Sequence, residues 1–185
     1  MMSKEIRCFL VVDTGRDRLS LRRYTGGNTC PGGESSYHNM SVPIGEAPSD
    51  GAIGSGQGAY AGDPRWPTRC SCGYEFQPTD EWQVFRDSIY RREETGEEWV
   101  ARELPPGAMY DAPWWHEHHA GPDGKSLMLC LPPKGGYVDV WHIDGEANNG
   151  PGWQRTGEAP NITATPSILT PRYHGWLRNG VLVEC

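Results

Sequence analysis

Long apolar runs are missing from this sequence. The longest near the N-terminus, Cys8 to Val12, ends after a few residues, far short of the roughly 20 that span a bilayer and of the apolar stretch of a secretory signal. The expectation is a chain with no membrane segment and no signal peptide, hence intracellular. Positive charge is also scarce: 17 Lys and Arg face 24 Asp and Glu, a net charge of −7. Nucleic-acid affinity comes largely from basic side chains that neutralise phosphates, so a nucleic-acid partner is disfavoured. The densest basic group, Arg16, Arg18, Arg22 and Arg23, reads as the solvent side of a strand. Catalytic signatures are missing as well: no nucleophile elbow, P-loop, dinucleotide fingerprint or kinase set appears. Gly54-Ser-Gly56-Gln-Gly58 is glycine-rich, but it lacks the lysine and the strand–loop–helix setting of a phosphate cradle.

What the chain has in abundance is glycine, 24 residues, and proline, 16. Such usage favours turns over long helices. Eight Trp and eight Tyr supply large apolar areas and argue for a folded chain rather than a disordered one. At 185 residues the length is that of one domain able to bury a real core. The reading is therefore a single domain, 1–185, mainly β with α+β as the alternative, built from antiparallel hairpins and at most one or two short helices. Residues 25–78 form its glycine-rich region and 79–185 its hairpin-rich body.

Turn chemistry places the hairpins. Residues 6–24 read as one, with Thr14-Gly15-Arg16-Asp17 as the turn. Residues 79–92 fit two patterns. Thr79 can cap a short helix that carries Trp82, Phe85 and Ile89 on one face. Alternatively, Ser88–Arg92 pairs with Glu98–Glu103 across Thr95-Gly96; this hairpin is favoured, with a helical turn or two before it. Leu127–Leu131 and Tyr137–Ile143 make another, around Lys134-Gly135-Gly136. Gly175–Leu177 and Val181–Val183 flank Asn179-Gly180, the strongest short hairpin signal. Residues 25–69 allow only short strands, such as Ser41–Ile44. So long a stretch without regular structure in a compact domain calls for a cross-link.

The six cysteines supply one. In a reducing compartment they are free thiols or metal ligands rather than disulfides. Cys70-Ser71-Cys72-Gly73 is the sharpest local feature: two thiols one residue apart can bind one metal if the chain turns tightly, and the glycine permits the turn. Cys30-Pro31-Gly32-Gly33 has the same character, and His38 follows a short polar loop. Three thiolates and an imidazole form a closed tetrahedral set suited to structural Zn2+. Cys30, His38, Cys70 and Cys72 are the expected ligands, with His174 the alternative fourth. An open fourth position would instead allow catalysis. Cys8 and Cys130 read as small buried hydrophobes. His116-Glu117-His118-His119 reads as a polar surface loop; it lacks the H-E-x-x-H spacing of a zincin helix. The competing enzyme reading is a metal-dependent hydrolase using His116 and His119, with Glu117 as general base on a metal-bound water near Asp111 or Asp123.

Several stretches together resemble an uncharacterised family of small zinc-binding proteins encoded by phages of actinobacteria and by prophages of their hosts. They are Leu19-Ser-Leu-Arg-Arg-Tyr24, Cys30-Pro31 with Tyr37-His38, Gly62-Asp-Pro-Arg-Trp-Pro67, Cys70-Ser-Cys-Gly-Tyr74, Pro105-Pro-Gly-Ala-Met109 with Asp111-Ala-Pro-Trp114, Gly121-Pro-Asp-Gly124, Trp141-His-Ile-Asp144 and Tyr173-His-Gly-Trp-Leu-Arg-Asn-Gly180. The resemblance covers nearly the whole chain. It carries no established activity. It implies that Cys30, His38, Cys70 and Cys72 act as one set, in a phage-type protein of the host cytoplasm or the virion. The expected partner is a host or virion protein, met through a non-catalytic, zinc-stabilised interaction module.

Overall fold

β-Branched and aromatic residues between glycine turns produce many strands: among the described residues 53% are strand, 6% are helical, and no helix reaches seven residues. The structure is a computed structural model and describes residues 5–27, 30, 37–48, 60–132, 139–147 and 150–185. The chain folds into two compact units, one made of Met1–Asp13 with Tyr90–Cys185 and the other of Thr14–Ile89. The glycine-rich region expected at 25–78 falls inside the second. Among the described residues, no helix is long and apolar enough to cross a membrane.

In the first unit, a six-stranded antiparallel sheet has the order β1-β13-β12-β11-β10-β9. Its strands are β1 (Glu5–Arg7), β9 (Gly145–Ala147), β10 (Gly150–Thr156), β11 (Thr163–Leu169), β12 (His174–Arg178) and β13 (Val181–Glu184). The β12–β13 hairpin turns through Asn179 and Gly180 at φ 45 and 70, the left-handed pair that a type I′ turn needs. Arg178 faces Val181 across it, as the Asn-Gly signal requires. The same unit contains β6 (Ala108–Asp111), β7 (Leu127–Leu131) and β8 (Asp139–His142), together with β5 (Glu98–Val100). β7 and β8 pair antiparallel, with Leu129 opposite Trp141. The expected turn at Lys134-Gly135-Gly136 lies outside the described residues. Leu127, Leu129, Leu131, Ile162, Leu177 and Leu182 form the buried heart of this unit. Cys8 and Cys130 are buried as read, and burial pushes each thiol up to about 12.

Two long strands, β2 (Phe9–Tyr24) and β4 (Glu81–Arg92), contribute to both units. In the second unit β2 pairs with β3 (Asn39–Glu46) from Arg18↔Glu46 to Tyr24↔Asn39. Leu19, Leu21, Val84 and Trp66 form its core.

Two expectations are overturned. Residues 6–24 are not a hairpin: β2 runs straight through Thr14–Asp17. The supposed turn residues bind β4 instead. Thr14 Oγ1 donates to the Ile89 carbonyl at 2.7 Å, and Asp17 accepts from Arg86 Nε and Ser88 Oγ at 3.0 and 3.2 Å. Gly15 keeps its positive φ of 69 inside the strand, a conformation that glycine adopts without strain. Likewise, no helical turn forms before Ser88. β4 is extended from Glu81 onward, because cross-strand pairing outweighs a weak local helical spacing. The favoured hairpin after it forms in part: the Arg92 N–H donates to the Glu97 carbonyl at 2.8 Å and Gly96 adopts φ 76, but the second strand ends at Val100 and Ala101–Glu103 is a 3-10 turn. Of the basic group on β2, Arg16 is exposed as expected, while Arg22 and Arg23 are half-buried. The Arg22 guanidinium lies over the Tyr24 and Phe85 rings, and that of Arg23 over Phe76 and Trp82.

Candidate metal centre

The centre is built where the β2–β3 pairing ends. One step beyond the Tyr24↔Asn39 pair, the Thr25 N–H donates to the His38 carbonyl at 3.0 Å, and the His38 N–H donates to Thr25 Oγ1 at 3.0 Å. This double clasp fixes the His38 backbone, and its side chain is buried. The second half of the centre is a small hairpin from Thr68 to Phe76. It is closed by the Phe76 N–H to the Thr68 carbonyl at 2.9 Å and by a bridge between Arg69 and Glu75. At its tip the Cys70 N–H donates to the Tyr74 carbonyl at 2.8 Å, and the Gly73 N–H donates to the Cys70 carbonyl at 2.9 Å. Gly73 sits at φ 95, where a β-carbon is strained. The glycine after the second cysteine thus lets the chain double back and turn both thiols inward.

Cys30, His38, Cys70 and Cys72 meet here. One ligand atom from each lies within 4.8 Å of all the others. The Cys30 and Cys70 sulfurs are 3.9 Å apart, and Cys72 Sγ is 3.2 Å from His38 Nδ1. A tetrahedral ion with metal–sulfur bonds of about 2.3 Å has sulfur–sulfur edges of about 3.8 Å, so the spacing is already that of a metal cage. Cys30, His38 and Cys70 are buried and Cys72 is partly exposed. Among the described residues, this is the one group of three or more His, Cys, Asp or Glu side chains able to hold a metal ion.

Burial pushes the Cys70 thiol up, but backbone hydrogen bonds at Cys72 and Asn39, then the His38 and Cys72 side chains, outweigh it and draw it down to about 6. A thiolate, the form a metal takes, is therefore favoured near neutral pH. The imidazole is held by an aromatic neighbour. The Tyr74 ring stacks on His38 with centroids 4.1 Å apart and planes 6° apart. Tyr74 is steadied in turn by its hydroxyl donating to Asp80 Oδ2 at 3.1 Å, while the same oxygen accepts from the Gln77 N–H at 2.6 Å. Phe76 packs edge-on against Tyr74. Groups that orient a ligand typically contribute 10- to 100-fold in metal affinity. Tyr74→Ala is thus expected to weaken metal binding by roughly tenfold or more while leaving the metal-to-protein ratio at saturation unchanged. Competition with a chromogenic chelator measures both.

Thr25, Tyr74 and Asp80 were not among the expected site residues. Tyr74 follows the C-x-C-G turn directly, which is the one local signal for it; the clasp by Thr25 depends on strand register. Cys30 is described but its glycine-rich neighbours 31–36 are not, and Gly54–Gly58 also lies outside the described residues.

The other expected residues are elsewhere. His174, the alternative fourth ligand, is exposed at the start of β12 in the first unit and is not in the cluster. His116–His119 is a single helical turn rather than a loop. His116 Nε2 lies 2.7 Å from Asp111 Oδ1, which also accepts the Ser126 N–H at 3.0 Å. Glu117 is exposed, and the side chains of His118 and His119 lie outside the described residues. Asp123 is engaged by Arg155.

Donor chemistry and convergence thus define the class: a β-rich protein with a Cys3His cluster that can bind a metal ion. No family model, curated protein or solved structure matches the chain.

Proposed function

We propose that the Cys3His cluster holds a structural Zn2+ and that the protein is a non-catalytic, zinc-stabilised interaction module of phage type, docking on a host or virion protein. The observation that carries the reading is the convergence of four protein donors of types that suit zinc. Four donors close a tetrahedral shell and leave no position for substrate or water, which is the pattern of a staple rather than an active site. The ion joins Cys30 to the 68–76 hairpin and to the end of the β2–β3 pairing. Large exposed side chains supply interface material: Trp114, Trp115, Trp82 and Leu169 are among the exposed hydrophobics, and aromatic residues are enriched at protein interfaces.

Two measurements test the two halves of the proposal. Elemental analysis of protein purified without added metal is expected to find about one zinc per chain; iron in its place, or no metal, overturns the zinc assignment. Affinity capture from phage-infected host cells and from purified particles is expected to return a stoichiometric partner. Repeated capture with none defeats the interaction role but leaves the metal reading standing.

A further inference from the structure

A cavity of about 410 Å³ opens in the first unit, and none of its lining residues belongs to the cysteine cluster. Leu10, Val12, Tyr90, Tyr110 and Leu127 wall it, and Asp13, Asp111, Trp114 and Lys125 stand among its polar and aromatic groups. The zinc reading makes no use of it.

Two features of the lining limit what it can hold. The first is aromatic. The Tyr90 and Tyr110 rings sit 4.8 Å apart at 47° and form a fixed corner. Trp114, on the short helical turn Pro113–Trp115 after β6, is 62% exposed, so its ring is accessible to a ligand. Aromatic faces carry negative potential and attract cations. The second feature is charge. Two carboxylates, Asp13 and Asp111, stand against one ammonium group, Lys125, which is exposed. Asp111 is anchored, since its Oδ1 holds both His116 and the Ser126 N–H. The field of Asp13 reaches the Tyr90 hydroxyl: burial first, and then this charge, push that phenol up to about 12. A small hydrated metal ion gains little from mainly apolar walls, and an anion meets two carboxylates. A weakly hydrated organic cation satisfies both the rings and the charge.

We infer that this cavity is a binding site for an organic ammonium ion carried on an aromatic or apolar body, with Trp114, Tyr90 and Tyr110 facing the cation and Asp13 and Asp111 supplying the countercharge.

The test uses the full chain and three probes of similar size: benzyltrimethylammonium, neutral benzyl alcohol and anionic benzenesulfonate. Binding is followed by titration calorimetry and by tryptophan fluorescence. The cation is expected to bind at least about tenfold more tightly than the neutral probe, with the anion weakest. Trp114→Ala and Asp13→Asn are each expected to reduce cation affinity by roughly tenfold. Both side chains are exposed, so circular dichroism and melting are expected to stay as in the parent and separate lost binding from lost folding. Equal affinity for the cation and the neutral probe overturns the inference. So does preference for the sulfonate, which would make Lys125 the determinant. Retention of full cation affinity in Trp114→Ala and Asp13→Asn overturns it as well.

Discussion

Replacing Cys72 with Ser is expected to abolish the zinc binding proposed for the Cys3His cluster and, with it, much of the stability of the Thr14–Ile89 unit. Among the described residues, the apolar core around the cluster is small. Cys30, Cys70 and Phe76 form a cluster of three buried residues, with Cys72 and Tyr74 packed against them. A structural zinc in a small folded site is worth roughly 10 kcal/mol or more of apparent binding energy, and that energy is folding energy. Even a fraction of it, about 4 kcal/mol, lowers the melting midpoint by roughly 8–16 °C for a chain of this size. Cys30→Ser is expected to behave the same way. His38→Ala is the milder variant, because three thiolates remain. The checks are zinc content and the melting midpoint with and without a strong chelator. The chelator is expected to lower the parent's midpoint to that of Cys72→Ser and to leave the variant where it is. A parent that melts alike with and without chelator refutes the structural role.

The second large effect is expected in the first unit, at residues that are not candidate metal ligands. Arg155 on β10 is buried, its side chain 2% exposed, and so is Asp144, at 3%. Arg155 Nε donates to Asp144 Oδ1 at 2.6 Å, and the other Asp144 oxygen accepts the Leu127 N–H at 3.0 Å. The guanidinium also reaches Asp123, which is far more exposed, at 42%, and the Lys125 carbonyl at 3.4 Å. Asp144 therefore joins β10 to the first residue of β7. Gly121 completes the fit, since a β-carbon there would collide with both the Arg155 guanidinium and the Asp144 carboxylate. Removing one partner of a buried ion pair strands the other, at a cost of about 3–5 kcal/mol. Asp144→Ala is thus expected to lower the melting midpoint by roughly 6–20 °C. Asp123→Ala, which removes a solvated partner, is expected to cost less than about 1 kcal/mol. Adding Arg155→Met to Asp144→Ala is expected to recover part of the loss, because the stranded charge goes with it. Urea titration of the four proteins measures all three differences. Equal losses from Asp123→Ala and Asp144→Ala would show that burial is not what sets the cost.

Legibility in the sequence followed the range of the interaction. Asn179-Gly180 specifies its turn through two backbone conformations, and the β12–β13 register follows from it. Cys70 to Gly73 works the same way, since the geometry needed to turn two thiols inward lies within four residues. The Thr14–Asp17 segment has equally good turn residues and is nevertheless strand. Its polar side chains bind Ile89, Arg86 and Ser88, about 70 residues away in the chain, and local composition holds no trace of them. The Trp82, Phe85 and Ile89 spacing misleads for the same reason: pairing with β2, rather than helical propensity, decides β4.

The sequence by itself determined the mainly β class, the Asn179-Gly180 turn and the Cys70/Cys72 pair, and it left the fourth donor open between His38 and His174. Each of the three rests on residue type and short spacing. Only the tertiary structure decided that Cys30 and His38 reach the 70–72 turn, that Tyr74 stacks on the imidazole and that Arg155 is held by Asp144. Those contacts depend on strand register across long separations. Register is set by the summed burial and pairing of whole strands, so no short stretch of the chain encodes it.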